Sequence, residues 1–464
     1  MKSAPRRVCT GLAAFLLLYF CATYSISYGR IRPVPSEYNS IQQAVTNAQT
    51  YDTVLVASGT YSGYVNRDID MSGKRILVMS DDGPSSTIID CGGYSSANHR
   101  AFMFDGSSST SVEIRGFTIR NGYHESGGAA VATNGASVYF NDCAFEENTS
   151  SHNGGAVFAE NSTITFNNCK FSGNNGAGLA TGGGAAGAVE LIGCSASFSG
   201  CRFENNSSAR NHGAINAVKS ALTISNCEII DNDGYGDYGP HDWNIGAVAL
   251  GVGSNAEITA CVFSHNRGYG LGLSMSKADV SECTFAYNCG GIYTWFGDLS
   301  IDKTIIAYGE THRAVDIEGR FDIDVTCSDI YGNAEGNWTG IMARFANKSG
   351  NVSADPRFCD GPGGDYHILN YSPCAPDYAS CGELVGACDV NCETDYICGD
   401  LDFSGIIDID DVIYVMNYVF TNGIPPMPFE AGNVNCRDFI DVDDTVYLLE
   451  YVFLGGAPPC ADCK

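Results

Sequence analysis

The sequence predicts an all-β fold in which the chain winds into a parallel β-helix, and three observations lead to this prediction. The phrase Cys-x-hydrophobic-x-x-Asn occurs six times between residues 143 and 288, as CAFEEN, CKFSGN, CRFENN, CEIIDN, CVFSHN and CTFAYN. Successive phrases begin 26, 32, 26, 34 and 22 residues apart, and a period of this size is typical of a solenoid. A glycine followed by Ala, Leu or Ile repeats in step with the phrase, at Gly128, Gly155, Gly187, Gly213, Gly246, Gly270 and Gly291.

The segments between these marks predict strands. Runs such as SVYFNDCAF and ALTISNCEI are short, alternating and rich in β-branched residues, which favours strands over helices. Glycine and asparagine, which tolerate the left-handed backbone of tight corners, separate the runs. We therefore expect each repeat to form one coil, and the length of 464 residues allows about a dozen coils plus a smaller unit.

The repeated phrase also predicts what lies inside the coils. Alternation points its hydrophobic residue and the cysteine two positions earlier to the same, interior side of the strand. The hydrophobic residues are Phe145, Phe171, Phe203, Ile229, Phe263 and Phe285. Coils stack about 4.8 Å apart, so the six cysteines are expected to form a buried column of small apolar side chains in preference to disulfides. The six asparagines are expected to hydrogen-bond from coil to coil.

The two ends of the chain carry different signals. Arg6 and Arg7 precede an apolar run at residues 11–22, which predicts a signal peptide over residues 1–27 and a secreted or cell-surface protein. The run is too short to span a membrane stably.

Nine cysteines lie between Cys359 and Cys463. In an exported chain they predict disulfides, and an odd number means that at least one pairs outside the group or stays unpaired. The pair Cys436 with Cys460 or Cys463 is one candidate.

Composition excludes some partners. The chain carries 25 Lys and Arg against 53 Asp and Glu, a net charge of −28. Such a charge argues against nucleic acid and anionic membranes as partners, and it suits an extracellular calcium-binding protein.

A short helix is expected to close the first coil. In SIQQAVTNAQTYDTVLVASGTY, Ser40 is the predicted N-cap, and Ile41, Ala44, Val45 and Ala48 share one apolar face. The first strand is predicted at Thr53–Val56. A helix in this place covers the open end of a solenoid core.

That entrance, with GKRILVMSDDGPSSTIIDCGG, GFTIRNG and ADPRFCDGPGGDYHILNYSPC, resembles the secreted right-handed parallel β-helix proteins of the pectate-lyase-like superfamily. The resemblance runs from about residue 35 to 390, and the β-helix is assigned to residues 28–390. The GGA and F-x-x-N phrases are also similar to those of polymorphic outer-membrane adhesins. The resemblance implies a right-handed β-helix and an extracellular role on polysaccharides.

After a Cys-containing linker at residues 391–398, the pattern changes to a predicted calcium loop. Positions 1, 3, 5, 6, 9 and 12 of the loop are occupied by Asp400, Asp402, Ser404, Gly405, Asp408 and Asp411, and Ile406 offers its carbonyl at position 7. The helix that follows is expected to place Val412, Val415, Met416 and Val419 on one face. The expected cofactor is calcium.

The loop and helix recur 33 residues later, from Asp400 to Asn433. A duplicated loop and helix resembles a type I dockerin, which implies a small α-helical calcium-binding domain at residues 399–464 and a cohesin-like partner. In the second loop Arg437 stands at position 5 and Asp438 replaces the glycine, and an Arg side chain cannot be a ligand. One filled and one degenerate site are therefore expected. Positions 10 and 11 are Ile409-Asp410 and Val442-Asp443, which departs from the small residues that dockerins use for recognition.

The inserts between each asparagine and the next glycine hold most of the reactive side chains. Because they share one register, we expect them along one face of the coils. The predicted catalytic residues are Asp231, Asp242, His241, His212 and Arg210, and the aromatic residues predicted to stack on sugars are Tyr235, Tyr238 and Trp243. The alternative is that they are ordinary hydrophilic loop residues. The chain lacks both the Asn-x-Asp, Asp-Asp and His-Gly set of polygalacturonases and the Arg-x-Pro-x-x-Arg segment of pectate lyases.

Three functions remain open from the sequence. The first is a polysaccharide-active or polysaccharide-binding β-helix, a lyase or a glycoside hydrolase if it is an enzyme, held to an assembly by the dockerin-like module. The second is a non-catalytic adhesin or surface structural protein on the same scaffold. The third is a calcium-dependent assembly component in which the β-helix acts only as a spacer.

Overall fold

The structure is a computed structural model, and it describes most of the chain after the predicted signal peptide, which lies outside the described residues. The described residues are 29–71, 73–106, 111–176, 185–209, 211–234, 244–320, 322–392, 397–402, 404–421, 423, 425–426, 429–437 and 439–459.

From residue 31 to residue 331 the chain winds into a parallel β-helix whose coils each contribute strands to the same sheets. The first, which we call sheet 1, has twelve strands: Ile31–Val34, Thr53–Val56, Leu77–Ser80, Ser111–Arg115, Ser137–Asn141, Thr163–Asn167, Ser195–Ser199, Ala221–Ser225, Asn255–Thr259, Lys277–Ser281, Asp298–Asp302 and Ile323–Thr326. Its twelve rungs confirm the expected number of coils. Thr53–Val56 has the predicted bounds, but Ile31–Val34 pairs before it; Pro33 hid that edge strand from the sequence pattern.

Sheet 2 follows sheet 1 in each coil and contains the hydrophobic residue of the repeated phrase. Its eleven strands are Gly59–Ser62, Thr87–Asp90, Thr118–Arg120, Ala144–Glu146, Lys170–Ser172, Arg202–Glu204, Glu228–Ile230, Val262–Ser264, Thr284–Ala286, Ile305–Ala307 and Asp329–Tyr331. Sheet 2 ends at the corner where the repeated asparagine lies.

Sheet 3 completes each coil before the chain returns to sheet 1. It contains Ile69–Asp70, Phe102–Asp105, Val131–Asn134, Val157–Glu160, Ala185–Ala186, Val189–Ile192, Asn211–His212, Ile215–Val218, Ile245–Leu250, Tyr269–Ser274, Gly290–Trp295 and Val315–Glu318. Between sheets 2 and 3 a small four-stranded sheet forms from Tyr123–His124, Thr149–Ser150, Asn175–Gly176 and Ser207–Ser208.

The interior contains the columns that the repeated phrase predicts. The rings of Phe145 and Phe171 stack at 4.7 Å, and those of Phe171 and Phe203 stack at 4.5 Å. The six cysteines of the phrase are buried and unpaired by disulfides, as expected. A second stacked column, Phe140 with Phe166 at 5.3 Å, comes from sheet 1.

The corner asparagines form a continuous hydrogen-bonded ladder. Nδ2 of Asn174 donates to Oδ1 of Asn206 at 2.9 Å, and Nδ2 of Asn206 donates to Oδ1 of Asn232 at 2.9 Å. The backbone amide of each asparagine donates to the same oxygen of the next coil, as from Asn206 to Asn232 at 3.0 Å. Because these groups are fully buried, the ladder satisfies polar atoms that water cannot reach.

The repeated glycine is required by crowding between coils. A Cβ atom on Gly155 would lie 2.0 Å from the carbonyl oxygen of Gly187, and one on Gly187 would lie 2.1 Å from that of Gly213. None of these three has the left-handed backbone. Close approach of the neighbouring coil, and not corner conformation, therefore explains these three glycines.

Helix α1, Ile41–Asn47, covers the first coil. Oγ of Ser40 accepts a hydrogen bond from the Gln43 amide at 3.2 Å, and the predicted apolar face is buried. Both features confirm the sequence prediction. Beside the helix, Nε of Arg32 forms a buried ion pair with Oδ2 of Asp52 at 2.6 Å.

A C-terminal segment folds back along sheet 2. After a 3₁₀ helix at Gly340–Arg344, it forms a small sheet from Phe358–Asp360, Asp365–Leu369 and Val390–Cys392. Disulfides join Cys327 to Cys381 and Cys359 to Cys392. The disulfide of Cys327 with Cys381 joins one of the nine C-terminal cysteines to a cysteine outside that group, which is one of the two predicted outcomes. Cys436 is also disulfide-bonded.

The duplicated unit forms helices α2, Ile409–Thr421, α3, Phe429–Gly432, and α4, Val442–Leu454. Val412 and Val415 of α2 are fully buried and share a core with Leu448 of α4. Met416 follows Val412 by one helical turn, at the edge of this face, and is 41% exposed. The predicted face is therefore buried at Val412 and Val415 and open to solvent at Met416.

Candidate functional site

A cleft of about 610 Å³ lies between the outer surface of sheet 2 and the C-terminal segment. We call it the sheet 2 cleft. Its β-helix side is lined by Arg202, Glu228, Asp231, Ser264 and His265, and its other side by residues 362–367, Cys388 and Asn391.

The side chains that enter the cleft from the β-helix follow a backbone rule of this fold. The residue just before each corner asparagine has a positive φ, with values of 54° at Asn205, 55° at Asp231, 53° at His265 and 55° at Tyr287. This left-handed kink turns the chain and projects the side chain outward, away from the buried asparagine that follows. Asp231 and His265 are therefore neighbours on adjacent coils.

His265 and Tyr366 join the two walls of the cleft. The phenolic oxygen of Tyr366 lies 3.1 Å from Nδ1 of His265. The imidazole also stacks on the ring of Tyr287 at 5.3 Å, with 9° between the planes, and Phe358 packs edge-on against Tyr366 at 5.3 Å. The geometry of the cleft is thus fixed on both sides by aromatic contacts.

Burial changes the acid–base behaviour of Tyr366. It raises the pKa of the phenol to about 12, with a further contribution from the charge of Asp231. The phenol therefore stays protonated near neutral pH and serves as a hydrogen-bonding group, not as a proton-abstracting base. Within the described chain, the buried hydroxyl of Ser264 lies near this phenol without a hydrogen bond of good geometry, so the cleft retains an unsatisfied polar group.

The structure separates the residues that were predicted to be catalytic. Asp231 lines the sheet 2 cleft because it precedes the corner asparagine. His212 follows the corner and lies on sheet 3, so these two do not share a site. The other predicted residues, Arg210, His241, Asp242, Tyr235, Tyr238 and Trp243, lie outside the described residues.

His212 lines a smaller pocket of about 110 Å³ on the outer face of sheet 3, with Asn216, Ile245 and Tyr293. Burial lowers the pKa of His212 to about 4. Beneath Asn216, the fully buried carboxyl of Glu190 accepts a hydrogen bond from Nδ2 of Asn216 at 2.8 Å, and burial raises its pKa to about 8. The imidazole is thus neutral at neutral pH, and much of the carboxyl is protonated.

Sequence reasoning missed His265, Tyr366 and His367. The signal for His265 was present, because it occupies the position of Asp231 in the next repeat, CVFSHN. Tyr366 and His367 belong to the phrase GDYHILN, and only the return of the C-terminal segment along sheet 2 brings them to the cleft.

In the first predicted calcium loop, carboxylates converge. One oxygen from each of Asp400, Asp402 and Asp411 can be chosen so that all lie within 4.8 Å of one another. Backbone amides hold them: the amide of Ser404 donates to Asp400 at 3.0 Å and to Asp402 at 2.9 Å. Burial raises the pKa of Asp400 and of Asp411, with added repulsion from Asp402. Hard oxygen ligands at this spacing fit Ca²⁺, which would relieve that repulsion.

The second loop keeps the same backbone pattern with fewer charges. The amide of Arg437 donates to Oδ1 of Asn433 at 2.9 Å and to Oδ1 of Asn435 at 3.0 Å. The Arg437 side chain turns outward and pairs with Asp443 at 2.9 Å. Asp444 is the buried carboxylate at the twelfth position, and Asp438 lies outside the described residues.

The two longer helices of this unit expose equivalent apolar rows. On α2 the row is Ile409, Ile413, Met416 and Phe420, and on α4 it includes Val442, Val446 and Phe453, all at least 41% exposed. The spacing of three and four residues places each row on one helix face. Since residues of the two rows are 33 positions apart, the duplication repeats the surface as well as the loop.

Comparison with known proteins agrees with the architecture. The family described as "Right handed beta helix region" matches residues 75–239 and, in a second overlapping match, residues 130–307. Together these spans cover half of the chain. The chain belongs to the right-handed β-helix family.

Several solved structures are similar to this chain at low sequence identity. The chain is similar to a pectate lyase at 15% identity, covering 79% of this chain and 98% of that one, with a TM-score of 0.46. It is also similar to the A-module of a mannuronan C-5 epimerase from Azotobacter vinelandii at 12% identity, covering 63% and 82% of the two chains, with a TM-score of 0.40.

A protein of Geobacillus virus E2 is similar at 16% identity, with a TM-score of 0.40; the match covers 62% of this chain and spans 58% of the viral one. No curated protein matches this β-helix protein. Among the described residues, no helix is both long and apolar enough to cross a membrane.

Proposed function

We propose that this secreted right-handed β-helix protein binds a polysaccharide in the sheet 2 cleft. The observation that carries the proposal is the convergence of Asp231, His265 and Tyr366 from two distant parts of the chain onto one open cleft. A carboxylate, an imidazole and a phenol supply acceptors and donors for sugar hydroxyls.

Binding is supported better than cleavage. A lyase or a glycoside hydrolase needs a group poised to abstract or donate a proton near the working pH. Tyr366 stays protonated near neutral pH, so its phenol does not abstract a proton, and it is hydrogen-bonded to His265. We therefore propose polysaccharide binding, as a binding protein or an adhesin, in preference to cleavage.

Affinity electrophoresis against neutral and charged polysaccharides tests this proposal. The protein is expected to be retarded by at least one polysaccharide, while unsaturated products and new reducing ends stay absent. A variant His265→Ala should lose the retardation, and His99→Ala, a half-buried histidine outside the cleft, should keep it. Retardation that survives in His265→Ala would overturn the assignment of binding to the sheet 2 cleft. Formation of unsaturated products or new reducing ends would show that the protein is an enzyme and overturn the proposal of binding without cleavage.

We further propose that the C-terminal unit is a calcium-dependent docking module of the dockerin type. Convergence of Asp400, Asp402 and Asp411 supports a calcium ion in the first loop, held also by Ser404, the Ile406 carbonyl and Asp408. The twin apolar rows on α2 and α4 support a protein partner, because exposed apolar rows of this kind mark interaction surfaces. The partner is a cohesin-like domain with an apolar face.

Size-exclusion chromatography with a panel of cohesin-type domains tests the docking proposal. A complex is expected with calcium and is expected to dissociate when a chelator is added. The variant Ile413→Glu, which leaves the loops intact, should weaken the complex. A complex that forms equally well with the chelator present would contradict the calcium dependence, and one that is indifferent to Ile413→Glu would contradict the apolar surface.

A further inference from the structure

The sheet 2 cleft has an excess of negative charge. Three carboxylates line it, from Glu228, Asp231 and Asp365, against the single permanent cation of Arg202. A fourth carboxylate, Asp389, contacts the imidazole of His367 at the same edge. The charge of the cleft therefore agrees in sign with the net charge of −28 for the whole chain.

The basic side chains of the cleft, Arg202 and His367, already contact carboxylates. Nε of Arg202 lies 2.5 Å from Oε2 of Glu204, and its Nη1 contacts Glu228. The imidazole of His367 is held on one side by Asp365, 2.7 Å from Nδ1. On its other side Asp389 lies 3.4 Å from Nε2. An incoming anion would have to displace these carboxylates before it met a positive charge.

Asp231 is the exception. In the described part of the chain its carboxylate has neither an ion-pair nor a hydrogen-bond partner, and it is exposed at the mouth of the cleft beside His265. Glu228 faces the guanidinium of Arg202, and Asp365 faces the imidazole of His367. Asp231 is thus the group available to a cationic ligand.

The negative charge of the cleft contributes to the raised pKa of two neighbouring groups. Burial raises the pKa of the Cys388 thiol to about 11, and the charges of Glu228, Asp365 and Asp389 add to the shift. Asp231 contributes to the raised pKa of Tyr366 in the same direction. Both groups lie on the C-terminal wall, so the field extends across the cleft.

We propose that the sheet 2 cleft selects an amino sugar polymer with unacetylated, positively charged amines, whose ammonium group pairs with Asp231. The proposal rests on the proposed polysaccharide binding and names its ligand class. The Ser264 hydroxyl, which is buried and lacks a hydrogen-bond partner, lies on the β-helix wall, and the Tyr366 phenol lies on the C-terminal wall. These polar groups flank the position where a sugar bound to Asp231 would lie. Uronic acid polymers, which carry a carboxylate on each ring, are repelled by the same field.

Isothermal titration with three hexasaccharides tests the inference: a glucosamine hexamer, its fully N-acetylated form and a galacturonic acid hexamer. The first two share one backbone and differ only in the amine. Titration at about pH 6 keeps amines protonated and carboxylates ionised. The glucosamine hexamer is expected to bind at least about tenfold more tightly than the acetylated one, and this difference should shrink with added salt.

A matched pair of variants locates the charge. Asp231→Asn should reduce the affinity for the glucosamine hexamer about tenfold and leave that for the acetylated hexamer nearly unchanged. It should fold, because Asn205 occupies the equivalent left-handed position one coil earlier. Asp377→Asn, which removes an exposed carboxylate outside the cleft, is the control and should change neither affinity.

The possible results distinguish a failure of amino sugar selection from a failure of polysaccharide binding itself. Equal binding of the two glucosamine-based hexamers, tighter binding of the uronate, or no effect of Asp231→Asn would overturn the amino sugar selection while polysaccharide binding stands. If none of the three hexamers binds and no other polysaccharide retards the protein, both are overturned.

Discussion

The phenolic oxygen of Tyr366 lies 3.1 Å from Nδ1 of His265, although 101 residues separate the two in sequence. One belongs to the C-terminal segment and the other to the left-handed kink of a β-helix coil. The bond therefore fixes the width of the cleft at the place where Asp231 enters it. Any ligand that fills the cleft depends on this contact, directly or through the position of the two walls.

Tyr366→Phe is expected to weaken polysaccharide binding while the β-helix stays folded. The change removes one hydrogen bond, which contributes about 1 kcal/mol to stability, and it frees the imidazole to rotate. We expect affinity for the preferred oligosaccharide to fall roughly tenfold. Titration calorimetry measures the effect, and Tyr94→Phe, at an exposed tyrosine, serves as the control. Unchanged affinity in Tyr366→Phe would remove this residue from the site.

The asparagine ladder is expected to be a major source of stability. Asn206→Ala removes the acceptor for two donors of Asn174 and the donor to Asn232, so several buried polar groups lose their partners. The expected loss in the free energy of unfolding is about 3 kcal/mol. Denaturant unfolding followed by circular dichroism measures it. Asn134→Ala, at an exposed strand end, should cost less than about 0.5 kcal/mol; similar losses in both variants would contradict the ladder's role.

Glu190 predicts a dependence of stability on pH. Its pKa is about 8 in the folded protein against an ordinary value of 4.5. A raised folded-state pKa contributes stability that is present below pH 4.5 and is lost as the pH rises toward 8. Glu190→Gln is therefore expected to be about as stable as the wild type at low pH and more stable, by on the order of 3 kcal/mol, at alkaline pH.

Denaturant titrations of the wild type and of Glu190→Gln across that pH interval measure the difference between them. Glu318→Gln, at an exposed position of sheet 3, should show no such trend. A stability difference for Glu190→Gln that is constant from acid to alkaline pH would show that the carboxyl titrates normally.

Calcium is expected to bind once per chain, in the first loop. Asp411→Asn should abolish binding because it removes a buried carboxylate from the cluster with Asp400 and Asp402. The equivalent change Asp444→Asn should leave binding intact, because Arg437 cannot serve as a ligand. Titration calorimetry gives the stoichiometry. Two tight ions in the wild type, or equal losses in the two variants, would contradict the assignment.

Much of the fold was predictable because it repeats. The cysteine, phenylalanine and asparagine of each phrase occupy fixed places in a coil, so a pattern of residue types translates directly into buried columns. The edge strand Ile31–Val34 was not predicted, because it lacks the repeated phrase and contains Pro33. The exposure of Met416 was not predictable for a different reason: how much of a helix face is covered depends on its partner helix, which the pattern of one helix does not specify.

The site was less predictable than the fold. The repeat predicted the place of Asp231 on its coil, but Tyr366, on the other wall of the cleft, comes from a segment with no repeat. The path of that segment along sheet 2 depends on tertiary packing and on the disulfide of Cys359 with Cys392. The grouping of Asp231 with His212 assumed that residues on both sides of the corner share a face. The corner asparagine instead divides them, one toward sheet 2 and the other toward sheet 3.

A crystal structure of the protein with its tightest-binding oligosaccharide would show where the ligand binds. We expect sugar rings in the sheet 2 cleft, with one ring between Asp231 and Tyr366 and a sugar amine within hydrogen-bonding distance of the Asp231 carboxylate. An oligosaccharide bound elsewhere, such as over the His212 pocket on sheet 3, with the sheet 2 cleft free of sugar, would contradict it.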